Sequence, residues 1–196
     1  VHNRPATPHN MSEFVVPDEL KVTMNACGDI GDSNFLIYDD TSGENAHDRV
    51  IVFASYGMRQ RAAIAREVYA DGTYRTVSNI FGTLYTLHAD VDGSVYPIFF
   101  TLMENEQKAT FIRAFSFVKQ YMPSFDSDCT VHLDCQLAAI GAFKEVFGCT
   151  VRLCLFHQNQ SVWKAVSRYK LATAYNTTAN KNLHVWIRRL FSLPFL

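Results

Sequence analysis

Beyond Glu145 the chain contains no Asp or Glu. Residues 1–145 hold all 19 acids and 11 Lys or Arg, a net of −8, whereas residues 146–196 hold seven Lys or Arg and no acid, a net of +7. The formal charge of −1 conceals this division. A basic end of this kind suits a phosphate backbone, and it equally suits balancing acids further along a longer protein. No run of about 18 apolar residues occurs, so no helix-type membrane span is expected. The opening VHNRPATPHN has no apolar core of a secretory signal and no initiator Met, and the closing FSLPFL stops on apolar side chains. These ends read as those of a segment within a longer protein, truncated at the C-terminal side. The five cysteines, at 27, 129, 135, 149 and 154, are odd in number and without the paired spacing of a disulfide scaffold. That usage points to a reducing, intracellular compartment.

What is present is a globular composition, 48% hydrophobic and 13% aromatic, in a length that suits one α/β core. Residues 1–34, broken by Pro5, Pro8 and Pro17, read as a lead-in. In residues 35–66, FLIYDD and RVIVFAS form two strands of a hairpin at the entrance to the core, and MRQRAAIARE a short helix. Three extended segments follow, starting at EVYADGTYRT, FGTLYTLHAD and VYPIFFTLM, with Asp92-Gly93 as a hairpin turn between the last two. KATFIRAFSFVKQYM places Phe111, Phe115, Val118 and Met122 on one helical face, and Pro123 ends it.

The stretch from Asp128 to Gln160 organises the rest. CTVHLDC alternates as a strand ending in the carboxylate of Asp134. LAAIGAFKEVF is a helix whose Leu137, Ile140, Lys144 and Phe147 fall on one stripe. TVRLCLF is a further strand, running into Cys154-Leu155-Phe156-His157 and then a helix with Gln160, Trp163 and Lys164. The core, residues 67–170, thus has the order β-β-β-α-β-α-β-α, followed by residues 171–196 as the start of a helical region. This is the order of a ribonuclease H-like mixed α/β sheet with helices on both faces, in which the first and fourth strands are neighbours. Such a sheet would bring Asp71 beside Asp134. Two adjacent carboxylates repel, and a hard divalent cation such as Mg²⁺ or Mn²⁺ relieves that repulsion.

In the order and wording of these segments, YADGTYRTVSNIFGTLYTLH, VYPIFFTLMENEQKATFIRAF, HLDCQLAAIGAFKEVFG and CLFHQNQSVWKAV, with FLIYDD and VIVFAS ahead of them, the chain resembles the transposase domain of Mutator-like elements, the MULE family. The resemblance covers residues 35 to 170. It implies a DDE-type catalytic core that cuts and joins DNA with Mg²⁺ or Mn²⁺, in which Asp71 and Asp134 are the first two acids. The Cys154-x-x-His157 pair matches a motif between the second and third acids. It also implies DNA as partner, at transposon ends and target, a homo-oligomer, and a nuclear location. The family's third acid, a downstream Glu, has no counterpart here. The segment is therefore expected to be inactive alone, and the alternative is a domesticated descendant that binds DNA or regulates transcription without cutting.

Each candidate also has a plainer reading. Asp71 before Gly72 could open a turn, and Asp134 could cap the following helix. Cys154 and His157 have zinc-like spacing, but a structural zinc takes four ligands, with Cys149 and His132 the conceivable additions, so zinc is the lesser alternative. Lys164, Arg168, Lys170, Arg188 and Arg189 are candidate DNA-phosphate contacts or simply a solvated helix face. Trp186 reads as packing, and Tyr74 and Tyr85 as core or sheet-face aromatics.

Overall fold

Asp92 and Gly93 both adopt positive φ, 54° and 78°. That conformation matches the twist of flanking strands, and the two residues close the turn between β4 (Thr83–Val91) and β5 (Ser94–Met103), with Val91 and Ser94 paired across it. The structure, a computed structural model, describes residues 8, 13–23, 33–42, 48–73, 80–176 and 181–191. Cys27 and Tyr74, singled out above, lie outside the described residues.

The other strands are β1 (Leu36–Asp40), β2 (Val50–Phe53), β3 (Glu67–Thr73), β6 (Thr130–Leu133) and β7 (Thr150–Leu153). The helices are α1 (Asp18–Lys21), α2 (Tyr56–Ile64), α3 (Lys108–Lys119), α4 (Leu137–Phe147), α5 (Leu155–Arg168), α6 (Ala172–Asn176) and α7 (Lys181–Phe191). One sheet has the order β1-β2-β5-β4-β3-β6-β7. Strands β3, β4 and β5 form an antiparallel meander, and β6 and β7 then add in parallel beside β3. The β1–β2 hairpin joins the free side of β5, so it extends the sheet.

Alternation assigns the two faces. Val68, Ala70, Tyr85, Leu87, Ala89, Val131 and Leu133 turn inward and pack with residues of three helices: Met58 and Ala62 of α2, Phe111, Phe115 and Val118 of α3, and Phe143 and Phe147 of α4. On the opposite face a smaller cluster joins Val16 and Ile51 with Phe14, Leu36, Phe53, Phe81 and Leu102. As the spacing predicts, Phe111, Phe115, Val118 and Met122 are all buried, and Tyr85 is core at 1% exposed.

Two expectations are corrected. The buried side of α4 is Ala139, Ala142, Phe143 and Phe147, whereas Leu137 is 83% exposed and Lys144 exposed. Apolar residues cover more than half the circumference of this helix, so the pattern admits several stripes. The contact of the Phe143 and Phe147 rings with Phe115 of α3 selects one of them. The CLFH run does not extend the last strand either. β7 ends at Leu153, Cys154 is the N-cap with extended φ and ψ, and His157 lies in the first turn of α5.

Candidate active site

In β3 the alternation that buries Val68 and Ala70 turns Tyr69 and Asp71 to the other face. The parallel pairing of β3 with β6 matches Tyr69 to His132, an offset of 63 positions (132 − 69). Asp71 and Asp134 have the same offset (134 − 71); Asp71 lies in β3 two residues beyond the last matched pair, and Asp134 directly follows the end of β6. Asp134 sits just past β6 and accepts a hydrogen bond from the backbone N–H of Gln136 at 3.1 Å. That is an Asx-type turn rather than a helix cap. The N-cap of α4 is Gln136, whose own side chain makes no capping bond.

The last strand delivers the next group. Cys154 donates its backbone N–H to the Leu133 carbonyl at 2.7 Å, which ties the start of α5 to the end of β6. His157 then points Nε2 at Asp71 Oδ1, 3.7 Å away. A cavity of about 460 Å³ lies here, bounded among others by Asp134, Gln136, His157, Gln160, Ser161 and Lys164. Gln136 Oε1 and His157 Nδ1 are buried without a hydrogen-bond partner. On the same face His88 of β4 pairs across from Tyr69; burial lowers its pKa and the Asp71 charge opposes that shift.

A third carboxylate stands beside Asp134. Glu106, between β5 and α3, accepts a hydrogen bond from Gln136 Nε2 at 2.6 Å. Burial and the Asp134 charge push its pKa up, against the pull of the Gln136 bond. Sequence reasoning missed it, because it lies in a short connection with no periodicity and 28 positions before Asp134 (134 − 106). The raised value means that ionising Glu106 costs more in the fold than in the unfolded chain. Stability is therefore lost as pH rises past the ordinary value of 4.5. Glu106→Gln should melt higher than wild type at neutral pH in chelator, with the difference closing below that value; a variant that melts lower would contradict this.

Of the five basic residues proposed for DNA, only Lys164 borders the cavity. Arg168 and Lys170 are exposed at the end of α5, and Arg188 and Arg189 are exposed in the last turn of α7. The helices pair through Gln158, which donates to the Leu190 carbonyl at 3.4 Å, and through Trp163, Tyr175 and His184 in successive ring contacts. Trp186, expected to pack, is 70% exposed, and it is Ile187 that is buried. Glu145, the last acid, is paired with Lys108 at 2.7 Å.

Among the described residues no group of three or more His, Cys, Asp or Glu side chains could hold a metal ion unaided. The two conceivable additions to a zinc site are engaged otherwise. His132 Nε2 is 2.6 Å from Glu67 Oε1 and its ring stacks on Tyr69, while Cys149 is buried. A pair of carboxylates nonetheless suits Mg²⁺ or Mn²⁺, since Mg²⁺ keeps much of its water and binds through one or two carboxylates plus substrate phosphates. The unpaired buried atoms of Gln136 and His157 bordering the same cavity fit a polar occupant.

Fold and site together define a mixed α/β domain with one carboxylate in β3 and another directly after its parallel neighbour β6. Residues 68–161, from β3 into α5, match the family model of the MULE transposase domain. No curated protein matches the chain.

Proposed function

We propose that this chain is the central part of a DNA transposase with a ribonuclease H-like core, whose parent protein cleaves and transfers DNA strands with Mg²⁺ or Mn²⁺. The reading is supported by the parallel pairing of β3, which carries Asp71, with β6, which leads into Asp134, inside the stretch that matches the MULE transposase domain. The strand order, an antiparallel meander with parallel strands added beside its first member, supports that fold. Asp71 and Asp134 would hold the cation. Bound there, it would supply Lewis-acid polarisation of a phosphoryl oxygen and neutralise developing charge. The protein's own part is positional. Gln136 fixes Asp134 through its backbone N–H, His157 stands against Asp71, and Lys164 brings a positive charge to the cavity wall for a phosphate. DNA is the partner, with Lys164, Arg168, Lys170, Arg188 and Arg189 as phosphate contacts, and a nuclear location accompanies it.

Calorimetric titration with Mn²⁺ at low salt tests the reading. Wild type is expected to bind, and Asp71→Ala and Asp134→Ala each to reduce binding below detection while remaining folded by circular dichroism. Folded wild type without binding, or variants that bind unchanged, would remove the paired-carboxylate site. A second reading, a domesticated DNA-binding or regulatory protein without catalysis, is favoured because no group of three or more His, Cys, Asp or Glu side chains among the described residues could hold a metal ion. Duplex DNA binding that persists in chelator, in a protein that takes up no Mn²⁺, would support it.

A further inference from the structure

Gln136 is fixed from three directions. Its backbone N–H donates to Asp134 Oδ1 at 3.1 Å, its carbonyl accepts the first helical bond from Ile140 at 3.0 Å, and its side chain donates to Glu106 Oε2 at 2.6 Å. Glu106 is itself flanked by fixed groups. Asn105 donates to the buried Asp48 at 3.1 Å and accepts from the Gln107 N–H at 3.0 Å, so the backbone on both sides of Glu106 is anchored to the hairpin edge and to α3. The Gln136 bond is therefore a link between two rigid parts, the β5–α3 connection and the turn that presents Asp134.

We propose that Glu106 is a positioning residue of the candidate site, holding Asp134 in its cation-binding orientation through Gln136. The inference rests on the reading of Asp71 and Asp134 as a divalent-cation pair. A role in stability alone does not account for the arrangement. Glu106 is half-buried, and the hydrogen bond of its carboxylate goes to Gln136, with no ion pair to a cation among the described residues. A carboxylate aimed at the residue that orients Asp134 is the arrangement by which outer partners fix metal-binding side chains. Glu106 also gives this chain a third acid at the site from upstream of α3, although no acid follows Glu145.

Mn²⁺ titration of the whole chain tests the link. Glu106→Ala removes the acceptor and is expected to weaken Mn²⁺ affinity about tenfold to a hundredfold. Glu106→Gln keeps an acceptor for Gln136 Nε2 and should restore affinity to near the wild-type value. Gln136→Leu breaks the same link from the other side, and combined with Glu106→Ala it should add no further loss. Glu145→Gln, an acid paired with Lys108 outside the site, should leave affinity unchanged. Wild-type affinity in Glu106→Ala overturns the proposal. So does a Glu106→Gln as weak as Glu106→Ala, since the charge rather than the hydrogen bond would then be what counts. In both cases loss of binding in Asp134→Ala leaves the paired-carboxylate reading intact. A wild type that binds no Mn²⁺ removes that reading and this proposal together.

Discussion

Replacing Phe115 with Ala is expected to lower the free energy of unfolding by about 3–5 kcal/mol, the usual cost of emptying a buried Phe position. Phe115 is 2% exposed and stands where three elements meet. Its ring lies 4.1 Å from Phe143 and 6.4 Å from Phe147 of α4, 5.5 Å from Phe111 on its own helix, and 6.0 Å from Tyr85 of β4. Truncation removes the transfer energy of the ring and leaves a space that neighbours of fixed rotamer fill only in part. The consequence reaches the site, because α3 and α4 hold the segments carrying Glu106 and Gln136. Urea unfolding of wild type and variant measures the effect. A loss below about 1 kcal/mol would mean that the surrounding rings collapse into the space and that the aromatic cluster is loosely packed.

Arg113→Met should cost a similar amount, about 3–5 kcal/mol, for an electrostatic reason. Asp48 is 6% exposed, and Arg113 faces it twice, with Nη1 3.1 Å from Oδ2 and Nη2 donating to the Asp48 carbonyl, while Nε stands 3.3 Å from Asp40 Oδ2. Thr110 and Asn105 bond the other carboxylate oxygen at 2.5 and 3.1 Å, so Asp48 cannot turn to water. Without the guanidinium a buried charge remains with only neutral partners. A buried pair as a whole contributes little net stability, whereas half of one is costly. The double variant Arg113→Met/Asp48→Asn should therefore recover much of the loss, and the same unfolding measurement decides it. An Arg113→Met variant as stable as wild type would show that Thr110 and Asn105 suffice for Asp48. Because Asn105 neighbours Glu106, this variant should also loosen the candidate site, whereas a remote surface change such as Glu145→Gln should not.

Much of this protein is legible in its residues because the signals are local. Alternation in TLYTLHADV and TVHL, the Asp92-Gly93 turn, and the 3.6-residue spacing of Phe111, Phe115 and Val118 each follow from the conformational preferences of a few neighbouring positions. The adjacency of the strands that carry Asp71 and precede Asp134 was legible too, but only through topology: element order fixes that β3 and β6 adjoin. Where the sequence admitted several answers, packing chose. The side of α4 that is buried was settled by the packing of Phe143 and Phe147 against Phe115 of α3, since nearly every face of that helix carries an apolar residue. The end of β7 at Leu153 and the turn of His157 toward Asp71 depend on the bond from Cys154 to the β6 carbonyl, a contact between strands 21 positions apart (154 − 133).

The sequence by itself determined most of the elements and their order, because backbone preference and hydrophobic period act over a few residues. Only the tertiary structure decided that Gln136 connects Glu106 with Asp134, and that Glu145 is taken by Lys108. Hydrogen bonds and charge repulsion act over a few ångströms of space irrespective of chain distance, so no local pattern in the sequence records them.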